Sequence, residues 1–270
     1  KLLILLFSIS ALLHLPAVFK DLPVEEPYDT FGDEAKYLRR SYKMFNSPTL
    51  KEILRPREVL AGGLNYYIPM IIPFTIKFVT GYKVNISIYS ILARFVTAVI
   101  LPSLAVVLIY KITQIYFNDP NIALASSLMV ALSPMFLGLT RIHYPDTYIV
   151  FLSSVLLYYS SLIFFEERAI KNYIICGITL GMALSTKYTS LSLLCVIILA
   201  HSITPLLKKN YKKVLLSKKL LIAFSIIPVV FIICNPLFIT KPYLYQEAIQ
   251  WHNNHYSGGH PGLESDNGYF

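Results

Sequence analysis

The apolar residues of this chain gather into runs of roughly 17 to 25, the length that covers a ~30 Å hydrocarbon slab at about 1.5 Å per residue. Seven spans follow, at about residues 2–19, 88–110, 121–139, 147–165, 172–186, 188–207 and 220–239. Hydrophobic residues make up 55% of the 270 and charged residues 14%. A soluble domain carries about 25% charged residues, so lipid, not a private core, is the solvent these runs are written for. The first run is too long and lacks the small-residue cleavage site of a signal peptide, so it reads as a retained span. Cys176, Cys195 and Cys234 all fall inside spans and read as small core residues, outside any disulfide framework or zinc site.

Lysine and arginine in short loops decide which side stays in the cytoplasm. The segment 208–219 carries six lysines and no acid, and placing it inside also places Lys1, Lys111, Arg168 and Lys171 inside. The other side then receives residues 20–65, with eight acids and eight bases, and the tail 241–270, with three acids and one base. One apolar stretch, 64–82, would reverse this parity as an eighth span. It holds Pro69, Pro73 and Lys77, two lost backbone donors and a charge costing about 2.5 to 3.5 kcal/mol at a span centre. It therefore reads as an amphipathic or re-entrant helix at the outer interface. The net charge of +9 is a topogenic cluster facing anionic headgroups, not an aromatic-interleaved basic face, and nucleic acid is excluded as a partner.

Three polar features converge on the outer side. The first is Phe31-Gly32-Asp33-Glu34-Ala35-Lys36-Tyr37. Adjacent carboxylates on a helix diverge by about 100°, so one can face a substrate while the other orients a neighbour or a cation; the plainer account makes Asp33 the cap of a helix running through Tyr37 and Arg40. The second is the turn Thr140-Arg141-Ile142-His143-Tyr144-Pro145-Asp146. It keeps Arg141 and Asp146 in reach of each other, either as a local ion pair or with the guanidinium free to grip a phosphate bidentately. The third is Lys187, where two short spans meet. It can snorkel, but with Arg94 at the outer end of the second span it completes a ring of cations near the outer leaflet. Gly177 and Gly181, four apart, allow close helix packing nearby. In the tail, His252 and His255 stand at helical spacing, without a committed carboxylate or Cys partner for a metal, and His260 follows in a glycine-bearing loop.

The order of these marks resembles the GT-C superfamily of membrane glycosyltransferases, in particular the protein O-mannosyltransferase and aminoarabinose (lipid A) transferase type, glycosyltransferase family 39. The marks are Asp33-Glu34 followed by Tyr37, the interfacial stretch, Ala93-Arg94, Ser133-Pro134, the Arg141 to Asp146 turn, Gly181 through Thr186-Lys187-Tyr188, and Gly259-His260. Gly32 stands where many relatives carry an aromatic residue, and no Lys-Pro-Pro element precedes the interfacial stretch, so the sugar stays open. The resemblance implies an all-α polytopic membrane protein: a GT-C-like bundle of about seven transmembrane helices plus an outer interfacial helix, forming one domain over 1–270. Its outer catalytic loop would be 20–65 and its outer tail 240–270. Relatives are longer, and the absence of an initiator Met with an end at Tyr269-Phe270 predicts an N-terminal piece of a longer chain.

The activity implied is transfer of a sugar from a polyprenyl phosphate to an acceptor hydroxyl of protein, lipid or glycan, with inversion, at the extracytoplasmic face. Phosphate leaves as a stable anion, so one base suffices where a glycosidase needs two carboxyl groups. Asp33 is the expected base and Glu34 the group that holds an acceptor or a neighbouring residue. Arg141, Lys187 and Arg94 are expected to stabilise the phosphate as it gains charge. Asp146 would orient Arg141 or touch the sugar, Lys36 and Tyr37 would contact the donor, and His260 donor or acceptor. The implied partners are the donor, a hydroxyl acceptor and the bilayer, with no firm cofactor and a divalent cation as an option. The implied location is the cell membrane of a prokaryote rather than the endoplasmic reticulum. The competing classes are a transporter or polyprenyl-lipid flippase, which places ionisable groups near the midplane of two repeated halves, and a noncatalytic lipid-binding subunit.

Overall fold

The computed structural model describes residues 1–19, 32–53, 62–140, 142–165, 169–207 and 217–257, and among them every regular element is helical. In chain order these are α1 (Leu2–Val18), α2 (Gly32–Phe45), α3 (Leu50–Ile53), α4 (Leu64–Thr80) and α5 (Ile86–Arg94). A π interval (Phe95–Ile100) continues α5 into α6 (Leu101–Phe117). There follow α7 (Pro120–Ala131), α8 (Pro134–Thr140), α9 (Pro145–Phe165), α10 (Ile170–Leu184), a 3-10 turn (Tyr188–Leu193) and α11 (Leu194–Leu207). The last three are α12 (Lys218–Cys234), α13 (Leu237–Thr240) and α14 (Tyr243–Ser257).

Among the described residues, two helices are long and apolar enough to cross a membrane, the 32-residue Ile86–Phe117 and the 21-residue Pro145–Phe165; a third counts if α7 and α8 are one bent span. The run 121–139 was expected to be a single helix. It divides at Leu132-Ser133-Pro134 with a bend of 57°, because Pro134 has no N–H to continue the ladder and its ring crowds the preceding turn. Leu2–Val18 and Ile170–Leu184 are shorter apolar helices of 17 and 15 residues. The apolar run 188–207 opens with a 3-10 turn before α11 begins. Hydropathy counts such a mixture as one run, whereas the backbone does not.

Helix α6 packs on α7, α9 and α1; α9 packs on α10 and α11; α10 packs on α12. The last pair is the closest, for a reason visible in the sequence. A Cβ on Gly177 would stand 2.6 Å from the Ala223 carbonyl oxygen, and one on Gly181 would stand 2.8 Å from that of Ile227. The matching advance on both chains means that α10 and α12 run in the same direction, with α11 returning between them. One end of the bundle is closed by Tyr116 against Phe165, ring centroids 4.8 Å apart. The other end gathers the starts of α2, α4 and α9 and the finish of α10.

The stretch 64–82, expected at the interface, is a continuous helix over Leu64–Thr80 that contains both prolines, and Gly81, left-handed at φ 68°, ends it. Its inner face joins Tyr66 and Met70 to a cluster with Leu38, Phe45 and Tyr89. Ile71, Phe78 and Val79 remain exposed. Lys77 lies 5.0 Å from the Phe45 ring centroid, so its charge rests on an aromatic face at the end of the helix.

Candidate functional site

Helix α2 is amphipathic, and its buried face runs through Glu34, Tyr37, Leu38, Ser41 and Phe45, the i, i+3, i+4, i+7 pattern of one helical stripe. A carboxylate on such a stripe must be neutralised, and Glu34 is. Arg94 donates from Nε to Oε1 and from Nη2 to Oε2, both at 2.9 Å, a fork-to-fork pair of the strongest geometry available to these groups. The backbone N–H of His143 donates to the same Oε1 at 2.7 Å. Glu34 is 4% exposed and Arg94 5%.

His143 is wholly buried, and burial pushes its imidazole down to about 3. The hydrogen bond to the Asn65 carbonyl favours the cation but is outweighed, and the Arg94 charge presses the same way as burial. The neutral ring donates from Nε2 to the carbonyl oxygen of Asn65 at 3.2 Å, leaving Nδ1 to accept from the Tyr148 hydroxyl at 3.4 Å. That carbonyl is open for a reason in the sequence. In a helix the oxygen of residue 65 is the partner of the N–H of residue 69, and residue 69 is a proline.

Asn65 also reaches the other way, donating from Nδ2 to the Thr186 carbonyl oxygen at 3.2 Å. The next residue, Lys187, is the extended residue between α10 and the 3-10 turn, and its Nζ stands 2.8 Å from Asp146 Oδ1. This pair is partly open, with side-chain exposures of 41% and 31%. The corner that brings α4 in is equally tight. Gly62 has φ 65°, and a Cβ there would fall 1.5 Å from the Ser185 oxygen. The N–H of Gly63 donates to Asn235 Oδ1 at 2.8 Å.

Of the residues expected at the site, Glu34, Arg94, Asp146 and Lys187 come together at one end of the bundle. Arg94 was expected at the rim facing a phosphate; it is buried and bound to Glu34, because α2 folds back over α5. Asp146 was expected to orient Arg141 or touch the sugar; among the described residues it pairs with Lys187. Tyr37 packs between Tyr66 and Tyr144, each at 5.9 Å between ring centroids, and Lys36 lies half-buried on the same helix. Asp33 lies in the first turn of α2, but its side chain is outside the described residues, as are Arg141, His260 and the side chains of His252 and His255. Among the described residues, no three His, Cys, Asp or Glu side chains gather in a metal-holding group. Sequence reasoning missed Asn65 and the role of His143; the signal that marks Asn65 is the proline four residues later.

A groove of about 640 Å³ opens at the same end, lined by Leu13, Pro16, Ala17 and Phe19 of the α1 finish and by Pro134, Leu137 and Gly138 of α8. His14 lies at its floor, its ring between the Ser10 carbonyl and the Thr140 hydroxyl, each at 2.8 Å. Thr140 directly precedes Arg141 in the chain.

A family model described as dolichyl-phosphate-mannose-protein mannosyltransferase matches residues 69–233, more than half of the chain. The match covers Arg94, His143, Asp146 and Lys187, and begins after Glu34 and Asn65, which join it through the contacts above. No curated protein and no solved structure matches the chain.

Proposed function

The chain belongs to the dolichyl-phosphate-mannose-protein mannosyltransferase family, and we propose that it moves a sugar to an acceptor hydroxyl at the extracytoplasmic face, with inversion and with Asp33 as general base. The family makes it a membrane glycosyltransferase of mannosyltransferase type that draws on a polyprenyl-phosphate sugar donor. The remaining particulars are our reading, as is a single domain of about seven crossings with α4 at the outer surface.

One observation carries the reading: both oxygens of Glu34 are committed to Arg94 and His143. The acidic pair is thereby divided into a structural member and a neighbour about 100° round the helix, which we assign to the chemistry. The acceptor oxygen attacks the anomeric carbon as Asp33 takes its proton. The bond to the phosphate oxygen breaks, and polyprenyl phosphate departs with the electron pair. Lys187 and Arg141 are assigned to that phosphate, which they stabilise most as its charge grows. Lys187 is held by a partly open carboxylate, a partner that an incoming phosphate can replace. Arg94 is assigned to holding Glu34. The groove between α1 and α8 has the apolar lining an isoprenoid chain requires, and its floor ends beside Arg141 in sequence.

The test is Asp33→Asn in proteoliposomes loaded with radiolabelled polyprenyl-phosphate mannose. A positioned base contributes about 10²- to 10⁴-fold, so transfer is expected to fall by at least the lower figure while the protein stays membrane-bound and retains donor. Transfer at the wild-type rate by that variant would sink the assignment.

A further inference from the structure

The contacts at the site close on themselves. Glu34 receives the N–H of His143; the His143 ring donates to Asn65; Asn65 donates to Thr186; Lys187, next in the chain, pairs with Asp146; and Asp146 is three residues beyond His143 in the same turn. Three separate segments are tied into one ring, the start of α4, the turn before α9 and the connection after α10, and the start of α2 joins it through Glu34 and the His143 N–H.

Asn65 holds a particular place in this ring. It brings α4 into the ring, and it bridges the acidic side to the cationic side with two different groups, its backbone carbonyl toward His143 and its side-chain amide toward Thr186. It is fully buried, at 0% exposure. Pro69 leaves the carbonyl without its helical partner, and Gly62 lets the backbone close on Ser185, so the local sequence is shaped to bring Asn65 to this point.

We propose that Asn65 is a positioning residue for sugar transfer, one that fixes the Lys187 ammonium relative to the Asp33-Glu34 end of α2 by gripping the connection between α10 and the 3-10 turn. Asn65 itself touches neither donor nor acceptor. The proposal rests on the assignment of Lys187 to the donor phosphate. Its effect appears as the charge on the leaving oxygen grows, and so in kcat more than in KM.

The experiment is a double-mutant cycle in the full protein, purified and reconstituted, between Asn65→Leu, which keeps the side-chain volume, and Lys187→Met. Asn65→Leu is expected to lower kcat by about tenfold to a hundredfold, the scale of a misplaced catalytic group, with donor KM changed by less than about threefold. The double variant is expected to be no worse than Lys187→Met alone, because a residue that acts through Lys187 has nothing left to act on. Losses that multiply in the double variant, or an Asn65→Leu enzyme with wild-type kcat, overturn the proposal. A second readout stands apart from activity: acylation of Lys187 by an amine-reactive reagent, measured by mass spectrometry, should rise severalfold in Asn65→Leu as the ammonium leaves Asp146. Unchanged labelling overturns the proposal even if no sugar is transferred, whereas a wild-type protein that transfers nothing while the labelling rises defeats the proposed activity alone. Should Asn65→Leu fail to accumulate, Asn65→Ser enters the same cycle.

Discussion

At the scale of single residues, the Glu34–Arg94 pair is costly to disturb one partner at a time. Two ions with about 5% exposure have surrendered their hydration, and Glu34 takes its compensation from the Arg94 guanidinium and the His143 N–H. Removing one charge strands its partner, which costs about 3–5 kcal/mol, whereas removing both is far milder. Glu34→Gln is therefore expected to lower the thermal unfolding midpoint in detergent sharply, and Glu34→Gln with Arg94→Met to recover most of the loss. A single variant that melts with the wild type would show that the pair carries no such energy. That one of two adjacent carboxylates could bind a cation while the other pointed elsewhere was legible in the sequence, since neighbours on a helix diverge. The partner was not. Arg94 lies 60 positions from Glu34, and nothing local distinguishes a cation that will face a phosphate from one that α2 will cover. Asn65 was illegible as a polar residue at the edge of an apolar run, because its importance comes from what Pro69 withholds.

At the scale of elements, prolines and glycines set the shapes that hydropathy alone misreads. The interfacial place of 64–82 was argued from Pro69, Pro73 and Lys77, and an unbroken helix accommodates all three. The run 121–139 gave no warning of its bend beyond Ser133-Pro134. The two extreme glycines make opposite predictions. Gly62→Ala combines a left-handed backbone, about 1–2 kcal/mol for an L-residue, with an overlap on the Ser185 oxygen that cannot be relieved without moving the α10 finish. It is expected to prevent accumulation of folded protein. Gly138→Ala meets nothing within 4 Å and trades a flexible helical residue for a stiffer one, worth about 0.5–1 kcal/mol in the stabilising direction. Both are read by yield and thermal midpoint in the same detergent, and equal behaviour would contradict the packing at Gly62.

At the scale of the whole molecule, the distribution of lysine decides the proposed sidedness. The parallel run of α10 and α12 agrees with a return through α11, the parity that charge counting requires. On that reading, Tyr243, 49% exposed at the start of α14, faces outward, and Lys209 faces the cytoplasm. With the native cysteines replaced, Tyr243→Cys is expected to react with a membrane-impermeant maleimide on intact cells and Lys209→Cys only after permeabilisation. The reverse pattern would turn the working end inward. Apolar run length made the class readable from sequence. It could not reveal how far each helix projects beyond lipid, because hydropathy gives only the minimum needed to span.

The 32-residue helix through Ile86 and Phe117 is about 48 Å long at 1.5 Å per residue, against a hydrocarbon thickness of ~30 Å. Tilt alone does not absorb so large an excess, so the helix stands proud of the bilayer. Arg94, eight residues into it, lies about 12 Å below the helix start. With that excess at the Ile86 end, as the proposed sidedness has it, the proposed meeting point of donor and acceptor is lifted toward the headgroups. On the proposed reading, an acceptor hydroxyl presented from water then reaches the site without crossing a dehydration barrier while the donor keeps its tail dissolved in the leaflet, and each partner is met at the edge of its own phase.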